Sequence, residues 1–286
     1  MNGTTSQNGT SNDDVGRIVY ALETTYNPHS SSSARQSALE FLEATKKRQD
    51  APEHGFSLAS NRSQEAVVRH FGLSLLDYAI RYCWEDYSEE QASIVRQWVI
   101  RLAQDVQQQD ALYLRNKVAH LWVEVAKRSW AGEWMNMDEM LVGMWETQDT
   151  TKQVAYRVLV LYILECLSED ICNREDPVAG LRQETLGQSL NEIVIPSGLY
   201  AKHVDSRGNA QDVRYLHDGW LVRMCTFLSA CVNSQPNEIV VGCAIKTLNA
   251  LKPTMTWISL EALVESRITD CLFQTLASPD IAAQTV

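Results

Sequence analysis

The chain has 286 residues, 45% of them hydrophobic, and a formal net charge of −11. That is enough for one elongated array or two ordinary domains with a sizeable core. The charge excludes broad, sequence-independent binding of nucleic acid, which needs clustered lysine and arginine, so no direct DNA binding is expected. Few glycines and prolines (13 and 7) argue against a turn-rich all-β fold.

Met1 to Asp14 consists largely of Asn, Gly, Ser and Thr. It has no apolar core, so no targeting signal is expected there, and residues 1–12 are expected to form a disordered tail. Asp13 and Asp14 then cap a helix bearing Val15, Ile18, Val19 and Leu22, ended by Asn27-Pro28. Ser32 or Ser33 opens a second helix, with Ala34, Ala38, Leu39 and Leu42 on one face and Lys46, Lys47 and Arg48 in its last turn, where cations suit the helix dipole. Residues 49–63 read as loop or a short broken helix.

The next stretch, Val68 to Trp84, is apolar around most of a helical wheel. His70, Ser74, Asp77 and Arg81 share one stripe roughly 60° wide, which is expected to face water. Gly72 lies inside the apolar arc, where it suits close approach of a neighbouring helix. Ser88-x-x-Gln91 has the form of a capping box. It opens a helix with Ile94, Val95, Trp98, Val99 and Leu102 inward and Arg96, Gln97, Arg101 and Gln104 outward. Asp110 starts another, with Leu114, Val118, Leu121, Trp122 and Val125 inward and Lys127 and Arg128 in its last turn. A short helix follows Asn136 and holds Met140, Leu141 and Met144.

Thr151 to Ile171 is apolar nearly all round, interrupted by Arg157 and Glu165. Its clean apolar run, Val158 to Leu164, is far short of the roughly 20 residues a membrane span needs, so no membrane insertion is expected. Pro177 begins a helix with Leu181, Leu186, Leu190 and Ile193. The polar stretch 196–212 reads as an inserted loop. Helical periodicity returns at 220–232 and 239–251, Pro253 breaks it, and two short helices follow at 259–265 and 268–276. Ser278-Pro279-Asp280 is one more helix start. So little follows it that the chain is expected to be a piece of a longer protein.

No segment alternates convincincingly with period two; "EIVIPSG" comes nearest. Helix, short turn, helix, with members apolar on several sides, indicates an all-α fold: an open-ended α-solenoid of HEAT-type antiparallel helix pairs in a right-handed superhelix.

Chemistry is sparse. The sequence lacks a glycine-rich phosphate loop, a His-Glu-x-x-His pair and a nucleophile elbow. His70, Asp77 and Cys83 have the residue types of a thiol site, but their spacing describes a polar stripe and a buried thiol. The pairs Asp138-Glu139 and Glu169-Asp170 are sequence neighbours that do not face each other on a helix. Seven cysteines, an odd number without a Cys-x-x-Cys, are expected to be free thiols in a reducing compartment. No metal, cofactor or catalytic residue is expected. Trp130 and Trp134, in "SWAGEW", suit either packing at a helix end or an exposed docking site.

Three segments carry a resemblance. "EAVVRHFGLSLLDYAIRYCW" (65–84) and "LRNKVAHLWVEVAKRSWAGEW" (114–134) resemble the N-terminal region of the exportin-five type of karyopherin-β family members. "VGCAIKTLNALKPTMTWISLEAL" (241–263) resembles a later repeat ending in a Trp-[Val/Ile]-Ser stretch. The likeness is collinear over most of 30–286. "KRSWAGEW" resembles a Lys-Arg-Glu-Trp-Pro-x-x-Trp element in which Ala131 replaces the proline. The resemblance implies importin-β N-terminal-like repeats over 13–107 and exportin-like repeats over 108–286, with 196–212 as a lineage insertion. It implies a nuclear export receptor that shuttles between nucleus and cytoplasm, passes nucleoporins, and binds Ran-GTP cooperatively with cargo. The cargo is a protein, sometimes phosphorylated, or a structured RNA. Inner helices would lie near 51–60, 88–107 and 136–147, which makes Arg96, Gln97, Arg101, Gln104, Asp138 and Glu139 the Ran-facing candidates. A HEAT scaffold without a GTPase partner is the alternative.

Overall fold

The computed structural model describes residues 7–173, 176–207 and 210–282. Among them the regular elements are helices, and the nearest approach to β-structure is an isolated bridge between Trp130 and Trp134. The all-α fold of helices packed against their sequence neighbours is thus the one the patterning indicates. Two compact units divide the chain: Met1–Asp105 with Asp110–Glu124, and Val106–Gln109 with Val125–Val286.

The first unit holds α1 (Gln7–Tyr26), α2 (Ser32–Lys46), α3 (Ala51–Ser60), α4 (Ala66–Tyr82), α5 (Glu89–Gln104) and the first part of α6 (Leu112–Ser129). α1 begins within the stretch expected to be a tail; polar composition there hides a helix that runs straight into the apolar residues of the first amphipathic segment. The α1 side chains Ile18 and Leu22 meet Ala38 and Leu42 of α2, and Leu58, Val68 and Leu75 complete this core. Ser31, one residue before the expected start, caps α2 by accepting the Ala34 N–H at 3.1 Å. The capping box at Ser88 and Gln91 forms with both of its bonds.

α3 and α4 cross backbone to backbone. A Cβ placed on Gly72 would stand 2.6 Å from the Gly55 carbonyl oxygen and 2.7 Å from the Ala59 nitrogen. One on Gly55 would stand 2.9 Å from the Gly72 oxygen. Gly72 therefore serves the close approach its position suggested, and the loop-like 51–60 is the helix it approaches. The stripe on α4 is left to water only in part: Arg81 at its end is exposed, but two of its members meet α6. Asp77 pairs with Lys117 of α6 at 2.9 Å, and His70 packs edge-on against Tyr113 at 5.4 Å. Polar residues here mark the side that meets a second polar helix.

The second unit holds α7 (Met137–Trp145), α8 (Gln153–Ser168) with a π turn at Glu169–Asn173, α9 (Pro177–Gly180), α10 (Gln183–Val194) and α11 (Ser197–Arg207). It continues with α12 (Trp220–Val232), α13 (Glu238–Trp257), α14 (Leu260–Glu265), α15 (Ile268–Leu276) and α16 (Pro279–Ala282). α8 packs on both α7 and α13, and α12 on both α13 and α15, which explains why α8 is apolar nearly all round.

Three expectations are corrected here. The inserted loop is largely the helix α11, tied to α14 by Lys202–Glu261 at 3.0 Å and by the Gly198 N–H to Glu265 at 3.1 Å. Charged side chains make these ties to α14, while Leu199 is the buried apolar residue of its first turn. Pro253 lies inside α13 and is buried there; a proline interrupts one backbone bond, while Ala250, Leu251 and Thr254 around it remain packed. Leu181 is exposed because the helix beginning at Pro177 breaks after one turn.

Trp130 and Trp134 are buried, so the packing role is the one they take. Between them Ala131 adopts the left-handed conformation, φ 55°, the position past a helix end where glycine is usual. A proline, fixed near φ −65°, cannot occupy it.

Two stability outcomes follow from these backbones. Gly72→Ala should lower unfolding free energy by about 1–3 kcal/mol or more in urea titration. Gly143→Ala, where a Cβ meets nothing within 4 Å, should be neutral or stabilising by up to about 1 kcal/mol. At the α6 turn, Ala131→Gly should stabilise by roughly 0.5–1 kcal/mol, while Ala131→Pro should cost about 3 kcal/mol. Equal melting curves for the two Ala131 variants would contradict the left-handed turn.

Candidate functional site

Four of the six candidates lie on α5, whose direction is set by its capping box. Gln97, Arg101 and Gln104 are exposed. Spacings of four and three put them on one helix face. Arg96 is half-buried and donates to the Ser93 hydroxyl at 3.3 Å, so it is turned away from that row. Under the row, Phe56 of α3 stacks on Trp98 of α5, with centroids 5.3 Å apart and planes 9° apart. The Arg101 guanidinium stands 5.9 Å from the Phe56 ring, near the limit for a cation–π contact. A cation held over a rigid aromatic pair, between two amides, can receive carboxylate or carbonyl oxygens.

Phe56 escaped sequence reasoning. It sat in a stretch read as loop, and one aromatic on each of two helices gives no signal that they stack. Trp98, read as inward, is only half-buried because its ring lies along the α3–α5 seam. Ile94, also read as inward, is exposed.

On α7 the two candidates part. Glu139 is exposed. Asp138 is 3% exposed, and its carboxylate accepts the Tyr215 N–H at 2.8 Å and the Trp220 indole N–H at 2.6 Å. Asp138 therefore faces the protein, not a partner, and is withdrawn from the set. Adjacent positions on a helix point about 100° apart, so one of two neighbouring acids turns inward. Burial pushes the Asp138 carboxyl above its ordinary value, and the two N–H bonds together with Arg214 and Arg223 oppose that shift. Asp138 positions the segment leading into α12.

The residues of the superficially thiol-like site have structural tasks. Asp77 is bound to Lys117, and burial raises the Cys83 thiol. All seven cysteines are free. Among the described residues, no helix is long and apolar enough to cross a membrane.

Comparison with known proteins gives a consistent group of relatives. No family model matches the chain. It is 29% identical over 287 aligned residues to Protein MSN5 of Saccharomyces cerevisiae, covering 95% of this chain and 23% of that protein. It is 27% identical over 184 residues to Exportin-5 of Mus musculus, covering 62% of this chain and 15% of that protein. Exportin-5 of Dictyostelium discoideum is 23% identical over 157 residues, 55% of this chain and 13% of that protein. The chain thus spans less than a quarter of the length of these relatives.

Replacing Asp138 by Leu should leave two buried N–H groups without acceptors and cost about 1–3 kcal/mol for each. A carboxyl whose folded value is raised contributes stability that is full below its unfolded value of 3.8 and is lost as pH rises through the folded value. Denaturant titration should therefore show the gap between the native chain and Asp138→Leu narrowing as pH is raised above about 4. A gap that widens over this range would mean that the ionised form is the favoured one.

Proposed function

From its kinship with MSN5 and the Exportin-5 relatives, we infer that the chain is the part of a nuclear export receptor of the exportin-5 type that engages the GTP form of Ran. The observation that carries this is the α5 face. Gln97, Arg101 and Gln104 are turned to solvent on a helix whose other sides are packed, above the Phe56–Trp98 stack. Supporting it is kinship over 95% of the chain with a relative some four times longer. Glu139 on α7 is a further contact candidate. Arg96, half-buried, shapes the face from beside it.

The receptor works by linkage, without catalysing a reaction. If Ran-GTP and cargo each stabilise the same arrangement of helices, each raises the other's affinity by the same factor. Loss of the GTP form then lowers cargo affinity by that factor and releases it. Cargo, protein or structured RNA, and nucleoporins would engage the longer protein. The net charge of −11 turns RNA contact away from this segment. Shuttling between nucleus and cytoplasm follows from that activity.

The test is capture of the purified chain by Ran loaded with a non-hydrolysable GTP analogue, beside Ran-GDP. Selective capture of the GTP form is expected. Arg101→Glu with Gln97→Ala should weaken it at least about tenfold, a loss of about 1.4 kcal/mol, with helix content unchanged. Equal capture of both nucleotide forms would favour a scaffold without a GTPase partner. Undiminished capture by the double variant would move the contact off α5.

A further inference from the structure

α1, the α2–α3 turn and α3 bring Asp14, Asp50 and His54 together. Arg48 stands among them. Its Nη2 lies 2.6 Å from Asp14 Oδ2 and 2.6 Å from Asp50 Oδ2, and its Nε lies 2.8 Å from Asp50 Oδ1. These bonds hold both carboxyls below the ordinary carboxylate range, so both are ionised at neutral pH. Arg17 reaches Asp14 Oδ1 from outside at 3.4 Å.

His54 is the unexplained member. Its side chain is 5% exposed, and Nε2 lies 3.4 Å from Asp50 Oδ2 and 3.9 Å from Asp14 Oδ2. That nitrogen is shielded from solvent and makes no hydrogen bond. An imidazole nitrogen buried without a partner is unfavourable, and Arg48, the cation that joins the two carboxylates, gives His54 Nε2 no hydrogen bond. The three donor atoms lie within 4.8 Å of one another. Donors about 3.4 Å apart surround a tetrahedral ion with bonds of about 2.0–2.1 Å; the His54–Asp50 separation already has that value, and the other separations must contract toward it.

We propose that Asp14, Asp50 and His54 form a divalent transition-metal site, with zinc as the fitting ion, and that Arg48 is the counter-charge the metal displaces. One imidazole and two carboxylates suit zinc; calcium and magnesium take all-oxygen shells. The Arg48 side chain is 37% exposed, so its guanidinium can swing to water while the divalent ion takes over both carboxylates. The ion would clasp α1 to α3 and leave a fourth position for water. This site is independent of the export reading.

The 286-residue chain, stripped of metal, would be titrated with Zn2+ by calorimetry and with Co2+ by visible absorption. One equivalent should bind, with a cobalt spectrum free of thiolate charge-transfer bands. His54→Ala and Asp14→Asn should each weaken binding at least about tenfold. Arg48→Met, which removes the competitor, should bind more tightly than the native chain. It should also melt lower without metal and regain that loss with Zn2+, a gain that does not depend on the His54 variant folding. No binding by either the native chain or Arg48→Met would overturn the site. Binding indifferent to both His54→Ala and Asp14→Asn, or with thiolate bands, would overturn it in favour of the cysteines.

Discussion

Every α-helix ends with four carbonyls that have no partner in the helix, and a protein made of closely packed helices must find donors for them. The usual answer is a glycine just past the end, folded so that the chain's own N–H groups turn back. This chain has 13 glycines and draws repeatedly on arginine instead. Arg35 donates to the carbonyls of Asn27 and Pro28 after α1, at 3.1 and 2.8 Å. Arg69 donates to Ala59 near the end of α3 at 3.2 Å, and Arg62 to Asp105 after α5. Arg182 reaches Lys127 and Trp130 at the end of α6, at 3.3 and 2.5 Å. Arg214 reaches Glu192 and Ile195 at the end of α10, both at 2.8 Å. A planar guanidinium with five donors suits this task. Because each arginine comes from elsewhere in the chain, the cap also fixes how two segments meet.

The same logic governs the buried charges. Asp110 is held by Arg62 and Arg69, at 3.0 and 2.9 Å. Both arginines also cap helices, so one carboxylate aims two caps. Lys127, 1% exposed, lies 3.0 Å from Asp170 and 2.9 Å from Asp176. Asp176 in turn accepts the N–H groups of Val178 and Ala179 and so starts α9. Desolvating such ions offsets most of what their attraction contributes. Their effect is therefore less on overall stability than on which turn can sit where: any other register leaves a buried charge alone, at a cost of several kcal/mol.

What the sequence made legible were features encoded within about one helical turn. The capping box at Ser88 and the apolar faces of α5, α6, α8 and α12 depend on neighbours three or four positions away. Gly72 was legible because a glycine inside an apolar arc has few other uses. The features missed depend on residues far apart. Lys127 reads as a last-turn cation in complement to the helix dipole, and only the arrival of Asp170 and Asp176 makes it a buried hub. Asp138 reads as an exposed acid until Trp220, 82 positions on, donates to it. α11 was misread because charged side chains make its ties to α14. The departure at Ala131 was visible as a letter, yet its consequence, a left-handed turn that excludes proline, is a property of the backbone.

These long-range contacts also set the exposed α5 row apart from the charges that hold the fold together. Arg62, Arg69, Arg182 and Arg214 are occupied by helix ends, and Lys117 and Lys127 by carboxylates, so much of the chain's positive charge is committed to its own architecture. Arg101 is exposed and stands over an aromatic face, the Phe56 ring at 5.9 Å. A cation supported from beneath by a stacked pair is pre-oriented, so less side-chain entropy is lost when a partner's oxygens arrive. Exposure together with that aromatic support is the physical ground on which Arg101 is proposed as a contact residue of the α5 face.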